Sequence, residues 1–302
     1  MNMRITKAIS VIALAMSLFV FAGCAIAPIS QQTATTQAAG LSSQTGLTVK
    51  VLDVGQGDAI LIKTPTQAVL VDTGDVGTRD KLVSYIKKEG IRTIDKVIIT
   101  HGHADHLGGM AALFESFAIK QIYDNGVAAT TNLYRQYLTT VKKKNIPFKV
   151  VTAGDQIDIG GGAVLRILAP AKPYIKQGAN ADLNNNSIVA KLIYGNFTML
   201  LTGDAEQESE QQMLQRSRDE LKSLVLKGGH HGSRTSSRPA FLKAVGAQTV
   251  VVSAGANNDY GHPHEVVLKR YATANMKVYR TDQHGTVTIT SNGKSYKISK
   301  EK

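Results

Sequence analysis

The run His101-Gly102-His103-Ala104-Asp105-His106 constrains the fold of this chain more than any other feature. It directly follows Val97-Ile98-Ile99, an apolar segment typical of a buried strand, and Leu107-Gly108-Gly109, where we expect a closely packed helix to begin, comes next. Four metal-competent side chains on one loop can converge on an ion without helical or strand geometry forcing them apart. We therefore predict a metal site at the end of a strand rather than a solvated turn.

The types of residue present limit the kind of metal site. A single Cys excludes a disulfide framework and a thiolate zinc cluster, so the ligands must be imidazoles and carboxylates. Seven of the eight histidines fall into three short clusters beside predicted strand ends, at positions 101/103/106, 230/231 and 262/264. This donor set suits zinc, manganese or iron.

Short apolar runs alternate with helical patterns from residue 47 onward, which predicts one α/β domain over residues 47–302. The predicted strands are 49–53, 59–63, 68–72, 97–99, 187–194, 197–202, 221–226 and 249–252, and a last hairpin covers 286–298. The predicted helices are 79–89, 205–218 and 265–274. Gly195-Asn196 and Asn292-Gly293 are hairpin turn signals.

The first 23 residues have the pattern of a signal peptide. Arg4 and Lys7 precede the apolar run 9–22, which is too short for a comfortable membrane span. Phe21-Ala22-Gly23-Cys24 resembles a bacterial lipobox, although Phe21 stands where Leu, Val or Ile is usual. We predict a lipid anchor on Cys24, with an ordinary secretory signal as the alternative. Both interpretations place the mature protein outside the cytoplasm, either membrane-anchored or secreted.

Residues 24–46 are uncharged and consist mostly of Ala, Ser, Thr, Gln and Gly. Such a segment cannot bury enough apolar surface to fold, so it is predicted to be a flexible tether.

The His-x-His-x-Asp-His run resembles that of the metallo-β-lactamase-fold hydrolases, and further motifs are similar to the extracellular hydrolase domain of the competence protein ComEC. These motifs are 52–58 (LDVGQGD), 70–74 (LVDTG), 101–109, 185–187 (NNS), 201–204 (LTGD), 230–233 (HHGS) and 260–263 (YGHP). The resemblance covers residues 48–290 and only the hydrolase module of that protein. It implies an α/β fold of the four-layer αββα type.

The resemblance also implies two divalent ions that share a carboxylate and a bridging water or hydroxide. The implied metal ligands are His101 and His103 for the first ion, Asp105 and His106 for the second, Asp204 as the bridge, and one of His230 and His231 to complete the second site. Asp72 and Asp58 are implied to support these ligands from behind. Many members of the family carry a further His ahead of the Asp204 position, whereas residues 182–187 contain none. A site with fewer protein ligands favours manganese over tightly held zinc, and the sequence therefore leaves both zinc and manganese as candidate metals.

Such a centre produces a hydroxide nucleophile and stabilises charge on a phosphoryl oxygen. Asp105 is expected to orient the water or accept its proton, and His262, Ser233 or the spare histidine of 230/231 to contact the phosphodiester. The formal charge of +12 falls to +10 without Arg4 and Lys7, which favours a polyanionic substrate. The sequence thus predicts a metal-dependent phosphodiesterase, specifically a DNase, with no protein partner indicated.

Two other interpretations stay open. The scaffold also resembles cell-surface phosphorylcholine esterases, which act on small phosphodiesters, although no choline-binding aromatic repeat follows here. A metal-loaded binding module without turnover is the alternative from a different functional class. An amide hydrolase such as a β-lactamase is disfavoured, because the ComEC-type motifs outweigh the generic ones.

Overall fold

The computed structural model describes residues 46–302 of the chain. The predicted signal peptide, Cys24 and nearly all of the predicted tether lie outside the described residues, so these assignments stay predictions. Among residues 46–302, no helix combines the length and the apolar character that crossing a membrane requires.

Nineteen strands run through the described residues, and most are short. In chain order they are β1 (Leu47–Val51), β2 (Ile60–Lys63), β3 (Ala68–Val71), β4 (Thr93–Ile94), β5 (Lys96–Ile99), β6 (Ala118–Ile119), β7 (Ile122–Asp124), β8 (Phe148–Val150), β9 (Gln156–Asp158), β10 (Ala163–Ala169), β11 (Lys176–Gln177), β12 (Asn180–Ala181), β13 (Val189–Tyr194), β14 (Phe197–Leu201), β15 (Val225–Lys227), β16 (Thr249–Val252), β17 (Lys277–Arg280), β18 (Val287–Ser291) and β19 (Tyr296–Lys300).

Eight α-helices lie between these strands. They are α1 (Arg79–Lys88), α2 (Ala104–Leu107), α3 (Met110–Ser116), α4 (Asn132–Lys143), α5 (Gln207–Arg216), α6 (Pro239–Val245), α7 (Glu265–Thr273) and α8 (Thr281–His284). Three short 3-10 turns complete the described part, at Val76–Thr78, Arg218–Leu221 and Gly229–Gly232.

Two large sheets form the centre of the molecule. One has eight strands in the order β19-β18-β1-β2-β3-β5-β7-β8, and the other has seven in the order β17-β16-β15-β14-β13-β10-β9. In the first sheet β3, β5, β7 and β8 are parallel neighbours, and in the second β14 to β17 are parallel. The remaining pairs in both sheets are antiparallel.

The alternation of side chains along the strands produces four layers. In β3, Val69 and Val71 point into a core between the two sheets, whereas Ala68 and Leu70 point to the opposite face. That opposite face is covered by α1, α3 and α4, and the outer face of the second sheet is covered by α5, α6 and α7. The predicted αββα sandwich is confirmed.

The predicted elements differ from the structure in two places. The strand predicted over 221–226 is wrong in its first half, because Leu221 ends a 3-10 turn and pairing with β14 covers Val225 and Leu226. Leu221 is fully buried on the helical side of the sheet, and periodicity alone cannot distinguish this from strand burial. The helix expected from Leu107 instead starts at Ala104, and a second helix follows at Met110. Both predicted hairpins are confirmed.

Candidate metal centre

The candidate site lies where the carboxyl ends of parallel strands from both sheets meet. Residues just beyond β3, β5, β14, β15 and β16 contribute to it, namely Asp72, His101, Asp204, His231 and, through its carbonyl oxygen, Ser253. Because parallel strands share an edge for their carboxyl ends, segments far apart in sequence converge there.

Four side chains from three separate segments form a compact group. The ligand atoms of Asp105, His106, Asp204 and His231 all lie within 4.8 Å of one another. His106 Nε2 is 3.2 Å from Asp204 Oδ2, and His231 Nε2 is 3.2 Å from Asp105 Oδ2. His231 Nε2 also lies 3.4 Å from Asp204 Oδ1. The structure thus brings together the residues predicted for the second ion.

The donor set of this group fits a divalent ion. His106 Nε2, Asp204 Oδ1 and His231 Nε2 are buried and have no hydrogen-bond partner among the described residues. Buried polar atoms in folded proteins are nearly always satisfied, and a ligated ion would satisfy all three. Imidazole nitrogens and carboxylate oxygens in this arrangement match the preferences of zinc and manganese alike.

His101 and His103 form a second position beside Asp204. His101 Nε2 lies 2.9 Å from His103 Nδ1 and 4.0 Å from Asp204 Oδ2. His101 is therefore close enough to share Asp204 with the four-residue group, and His103 lies next to His101. The clustered histidines and aspartates fit a dinuclear divalent metal site, and they do not select the metal.

The two adjacent histidines 230 and 231 have different surroundings. His231 is fully buried, and its Nδ1 lies 3.1 Å from the carbonyl oxygen of Ser253. His230 is partly exposed, and its Nδ1 lies 2.8 Å from Glu206 Oε1. His231 therefore lies within the group and His230 at its edge, where its Nε2 is 3.6 Å from Asp204 Oδ2, and the assignment of the ligand stays a prediction.

The backbone at this pair is unusual. His230 and His231 have φ of 46° and 52°, a left-handed region that L-residues rarely adopt. Asp72, which contacts His106, also has a positive φ of 57°. Such conformations persist only where the surrounding structure over-determines them, and they concentrate at functional sites.

Asp72 fixes the orientation of His106. Its carboxylate accepts hydrogen bonds from the backbone N–H and the hydroxyl of Thr100, each at 2.7 Å, and lies 2.8 Å from His106 Nδ1. With Nδ1 bound in this way, Nε2 is directed towards Asp204.

A buried ion pair supports His231 from behind. Lys227 Nζ lies 3.0 Å from Asp58 Oδ2, and both side chains are essentially inaccessible to solvent. Asp58 Oδ1 is 3.6 Å from His231 Nδ1. Gly57, next to Asp58, allows the chain to pass close to the backbone of Asp105, because a Cβ at position 57 would lie 2.5 Å from the carbonyl oxygen of Asp105. Sequence reasoning missed Lys227, although a lone Lys after Val225-Leu226 in an apolar strand is a usable signal.

Residues 182–187, which include no histidine, place the hydroxyl of Ser187 beside the candidate metal ligands. Ser187 Oγ lies 3.3 Å from His101 Nδ1 and accepts a hydrogen bond from the backbone N–H of Asp204. Ser187 therefore supports two candidate ligands at once, a role that was not predicted for it.

The charges of the group are mutually stabilising. Burial raises the pKa of Asp204, but His106 and His231 outweigh it and hold that pKa well below its usual value. Burial also raises the pKa of Asp105, and the same two histidines again more than reverse the effect. Burial lowers the pKa of His231, yet Asp204 and Asp105 raise it to about 10. Metal binding must therefore displace a proton from His231.

The remaining predicted residues lie around this group. His262 is buried, and its Nδ1 has no hydrogen-bond partner among the described residues. Burial and the neighbouring His231 and His230 lower the pKa of His262 to about 4, so its imidazole is neutral at pH 7. Ser233 lies in the same loop, with its Oγ 2.9 Å from Thr235 Oγ1. Substrate contacts for both residues stay predictions.

This fold and this donor set define a class of metal-dependent hydrolases. The sequence profile of the metallo-β-lactamase superfamily matches residues 52–256. The chain therefore belongs to the metallo-β-lactamase superfamily.

Curated relatives are similar over most of the chain. ComE operon protein 3 of Bacillus subtilis is 31% identical over 257 residues, which are 79% of this chain and 32% of that protein. Competence protein ComA of Neisseria gonorrhoeae is 30% identical over 240 residues, which are 79% of this chain and 31% of that protein. The chain thus spans about a third of the length of these relatives. The predicted resemblance to competence proteins is confirmed.

A solved structure shows the same fold. The metallo-β-lactamase fold protein YhfI from Bacillus subtilis superimposes with a TM-score of 0.55 at 14% identity, over 82% of this chain and all of that protein. At this identity the match supports the fold and no particular reaction.

Proposed function

We propose that this chain is an extracytoplasmic metal-dependent phosphodiesterase that cleaves DNA. The observation that carries the proposal is the group of Asp105, His106, Asp204 and His231, whose ligand atoms lie within 4.8 Å of one another beside His101 and His103. When bound there, divalent ions lower the pKa of water towards neutrality and stabilise negative charge on a phosphoryl oxygen.

The two carboxylates of the group have different exposure, which gives them different roles. The side chain of Asp204 is 2% exposed, whereas that of Asp105 is 29% exposed. Asp204 is therefore suited to hold metal from the floor of the site. Asp105 faces the side from which water and substrate enter, so it orients the attacking water and receives its proton.

The neutral imidazole of His262 is suited to the substrate rather than to a metal. It lies next to His230 and His231, with ring centroids 5.6 and 6.3 Å away. Its unpartnered Nδ1 is free to hold a proton that it donates to a non-bridging phosphate oxygen. His230, paired with Glu206, lies on the same side of the group.

The charge of the chain supports a polyanionic substrate. Without Arg4 and Lys7 the formal charge is still +10, so attraction to a nucleic acid gains from counterion release. Two of the relatives are named as competence proteins or products of a competence operon, which agrees with DNA as substrate. The signal-peptide pattern and Cys24 support an extracytoplasmic, lipid-anchored location.

The test is a cleavage assay on the full chain loaded with Mn²⁺ or Zn²⁺. Plasmid DNA, single-stranded DNA and bis-p-nitrophenyl phosphate are offered separately, and His103→Ala is the matched inactive variant. DNA cleavage that disappears in His103→Ala supports the proposal. Cleavage of the small diester alone would instead assign a small-molecule phosphodiesterase. Bound metal with no turnover on any substrate would make the protein a binding module.

A further inference from the structure

One aromatic side chain beside the metal centre is much more exposed than its surroundings. Tyr260 lies in the loop between β16 and α7, and 66% of it is accessible to solvent. A large ring exposed to this extent leaves apolar area in water that burial would otherwise stabilise. Packing in the core therefore does not account for an aromatic residue at position 260.

The ring of Tyr260 continues a series of stacked rings that starts at the metal centre. Tyr260 stacks on His262 with a centroid distance of 5.6 Å and an interplanar angle of 23°. His262 in turn stacks on His231 at 6.3 Å, again with an angle of 23°. The two steps lead from a candidate metal ligand, through the predicted substrate-contacting imidazole, to the protein surface.

The loop holds Tyr260 in place before any ligand arrives. Asn258 Oδ1 accepts hydrogen bonds from the backbone N–H groups of Tyr260, at 3.2 Å, and His262, at 3.0 Å. Asn258 Nδ2 donates to the carbonyl oxygens of Gly255 and His262. A loop fixed at both ends by one side chain presents the ring with little ordering cost on binding.

The histidine on which Tyr260 stacks has a further imidazole next to it. His264 lies 4.9 Å from His262 between ring centroids, and the backbone N–H of the exposed Arg234 donates to His264 Nδ1. Proteins that bind a single strand without reading its sequence stack successive bases on exposed aromatic rings, and Tyr260 offers such a ring beside the candidate site.

We infer that Tyr260 is a stacking platform for an unpaired nucleobase next to the phosphodiester at the metal centre, so that the preferred substrate is single-stranded DNA. This inference rests on the proposed function. Bases inside a duplex already have both faces covered, so a duplex cannot use the platform unless a base is extruded.

The test measures the affinity of the metal-loaded full chain for a short fluorescent oligothymidylate, by anisotropy, and the KM and kcat for its cleavage. Tyr260→Ala should raise the Kd and the KM about 5- to 100-fold, since one base–aromatic stack is lost. Tyr260→Phe keeps the ring and should stay within about twofold of the wild type. Phe148→Ala is the matched control, because it removes another exposed ring, 38% accessible, on edge strand β8.

A double-mutant comparison, which combines Tyr260→Ala with an altered oligonucleotide, distinguishes base stacking from a merely structural role of Tyr260. An oligonucleotide that is abasic next to the cleaved phosphate should bind the wild type more weakly, and Tyr260→Ala should add no further loss. Wild-type affinity in Tyr260→Ala, or equal weakening in Tyr260→Phe, would overturn the inference. The inference would also be overturned if Tyr260→Ala weakened the binding of duplex and single-stranded DNA equally. It would be overturned likewise if Tyr260→Ala weakened the binding of an oligouridylate but not that of the oligothymidylate.

The two proposals fail in different ways. If the wild type binds the oligothymidylate through Tyr260 but cleaves no phosphodiester, the proposed function is wrong and the platform stands. If DNA is cleaved and Tyr260→Ala changes neither Kd nor KM, the platform is wrong and the proposed function stands.

Discussion

The floor and the rim of the candidate site differ in burial and in charge. The floor consists of buried, mutually paired charged and imidazole groups, namely Asp58, Asp72, His106, Asp204, Lys227 and His231. The rim consists of groups around the entrance, of which His230, His264 and Tyr260 are partly or largely exposed, together with Ser233 and His262. Substitutions in the floor should therefore affect metal binding and stability, whereas substitutions in the rim should affect substrate binding.

The largest effect is expected at the carboxylate shared by both metal positions. Asp204→Asn removes the charge that lies next to His106, His231 and His101. We expect bound metal to fall and phosphodiester hydrolysis to drop about 10⁴-fold, because several kcal/mol of charge stabilisation is lost. Metal content by mass spectrometry and steady-state rates check this.

Asp219→Asn, on an exposed turn, is the matched control and should retain both metal and activity. Full metal content in Asp204→Asn would show that the floor does not depend on this residue.

The second effect concerns the ion pair behind His231. Lys227→Met removes the cation 3.0 Å from the buried Asp58 and leaves His231 as the remaining partner, and we expect the free energy of unfolding to fall by about 3–5 kcal/mol. Lys227→Met combined with Asp58→Asn should recover much of this loss, since no uncompensated charge is left. Urea denaturation of the single and double variants measures both values.

Lys269→Met, which breaks an exposed pair with Glu265, should change the free energy of unfolding by less than about 1 kcal/mol. An equal loss at Lys227 and Lys269 would remove the distinction between buried and exposed charge on which the comparison rests.

A third effect concerns the loop that carries the rim. Glu210 is buried and accepts hydrogen bonds from the backbone N–H groups of Ser237 and Arg238. Burial raises its pKa from 4.5 to about 8. The folded protein therefore keeps a proton that the unfolded chain has lost, so stability is full below pH 4.5 and declines as the pH rises towards 8.

Ionisation of Glu210 lowers the free energy of unfolding by at most about 1.4 kcal/mol per pH unit. Glu210→Gln has no proton to lose, and its unfolding free energy should vary less between pH 5 and 8 when both proteins are compared in parallel. Parallel pH profiles for the two proteins would contradict this origin of the pH dependence.

The smallest effect is expected at the rim. His262→Ala should lower kcat/KM for a phosphodiester about 10- to 100-fold with metal content unchanged, because one hydrogen bond to a charged group is lost. Ser233→Ala should have a smaller effect, since the hydroxyl already interacts with Thr235. If Ser233→Ala reduces kcat/KM as much as His262→Ala, the substrate contact belongs to Ser233 as well.

The parts of this site that the sequence reveals are those encoded locally. The loop 101–106 is contiguous, and the strand before it follows from three apolar residues. The hairpins were predictable because Gly195-Asn196 and Asn292-Gly293 determine their own turns. Local patterns therefore identified the fold class and one half of the metal centre.

The parts that the sequence does not reveal depend on contacts between distant segments. Lys227 meets Asp58 across 169 positions of chain, and Ser187 meets His101 across 86, so no local pattern announces either contact. His231 lies inside the group and His230 at its edge, and two adjacent histidines cannot be told apart in this way from the sequence. Tyr260 belongs to the motif 260–263, but its exposure is known only once the loop is folded.

The most direct test of the account is a crystal structure of the Mn²⁺-loaded chain with anomalous difference maps. The account predicts two peaks, one among His101, His103 and Asp204 and the other among Asp105, His106, Asp204 and His231. No peak at these residues, or peaks only elsewhere on the molecule, would contradict it.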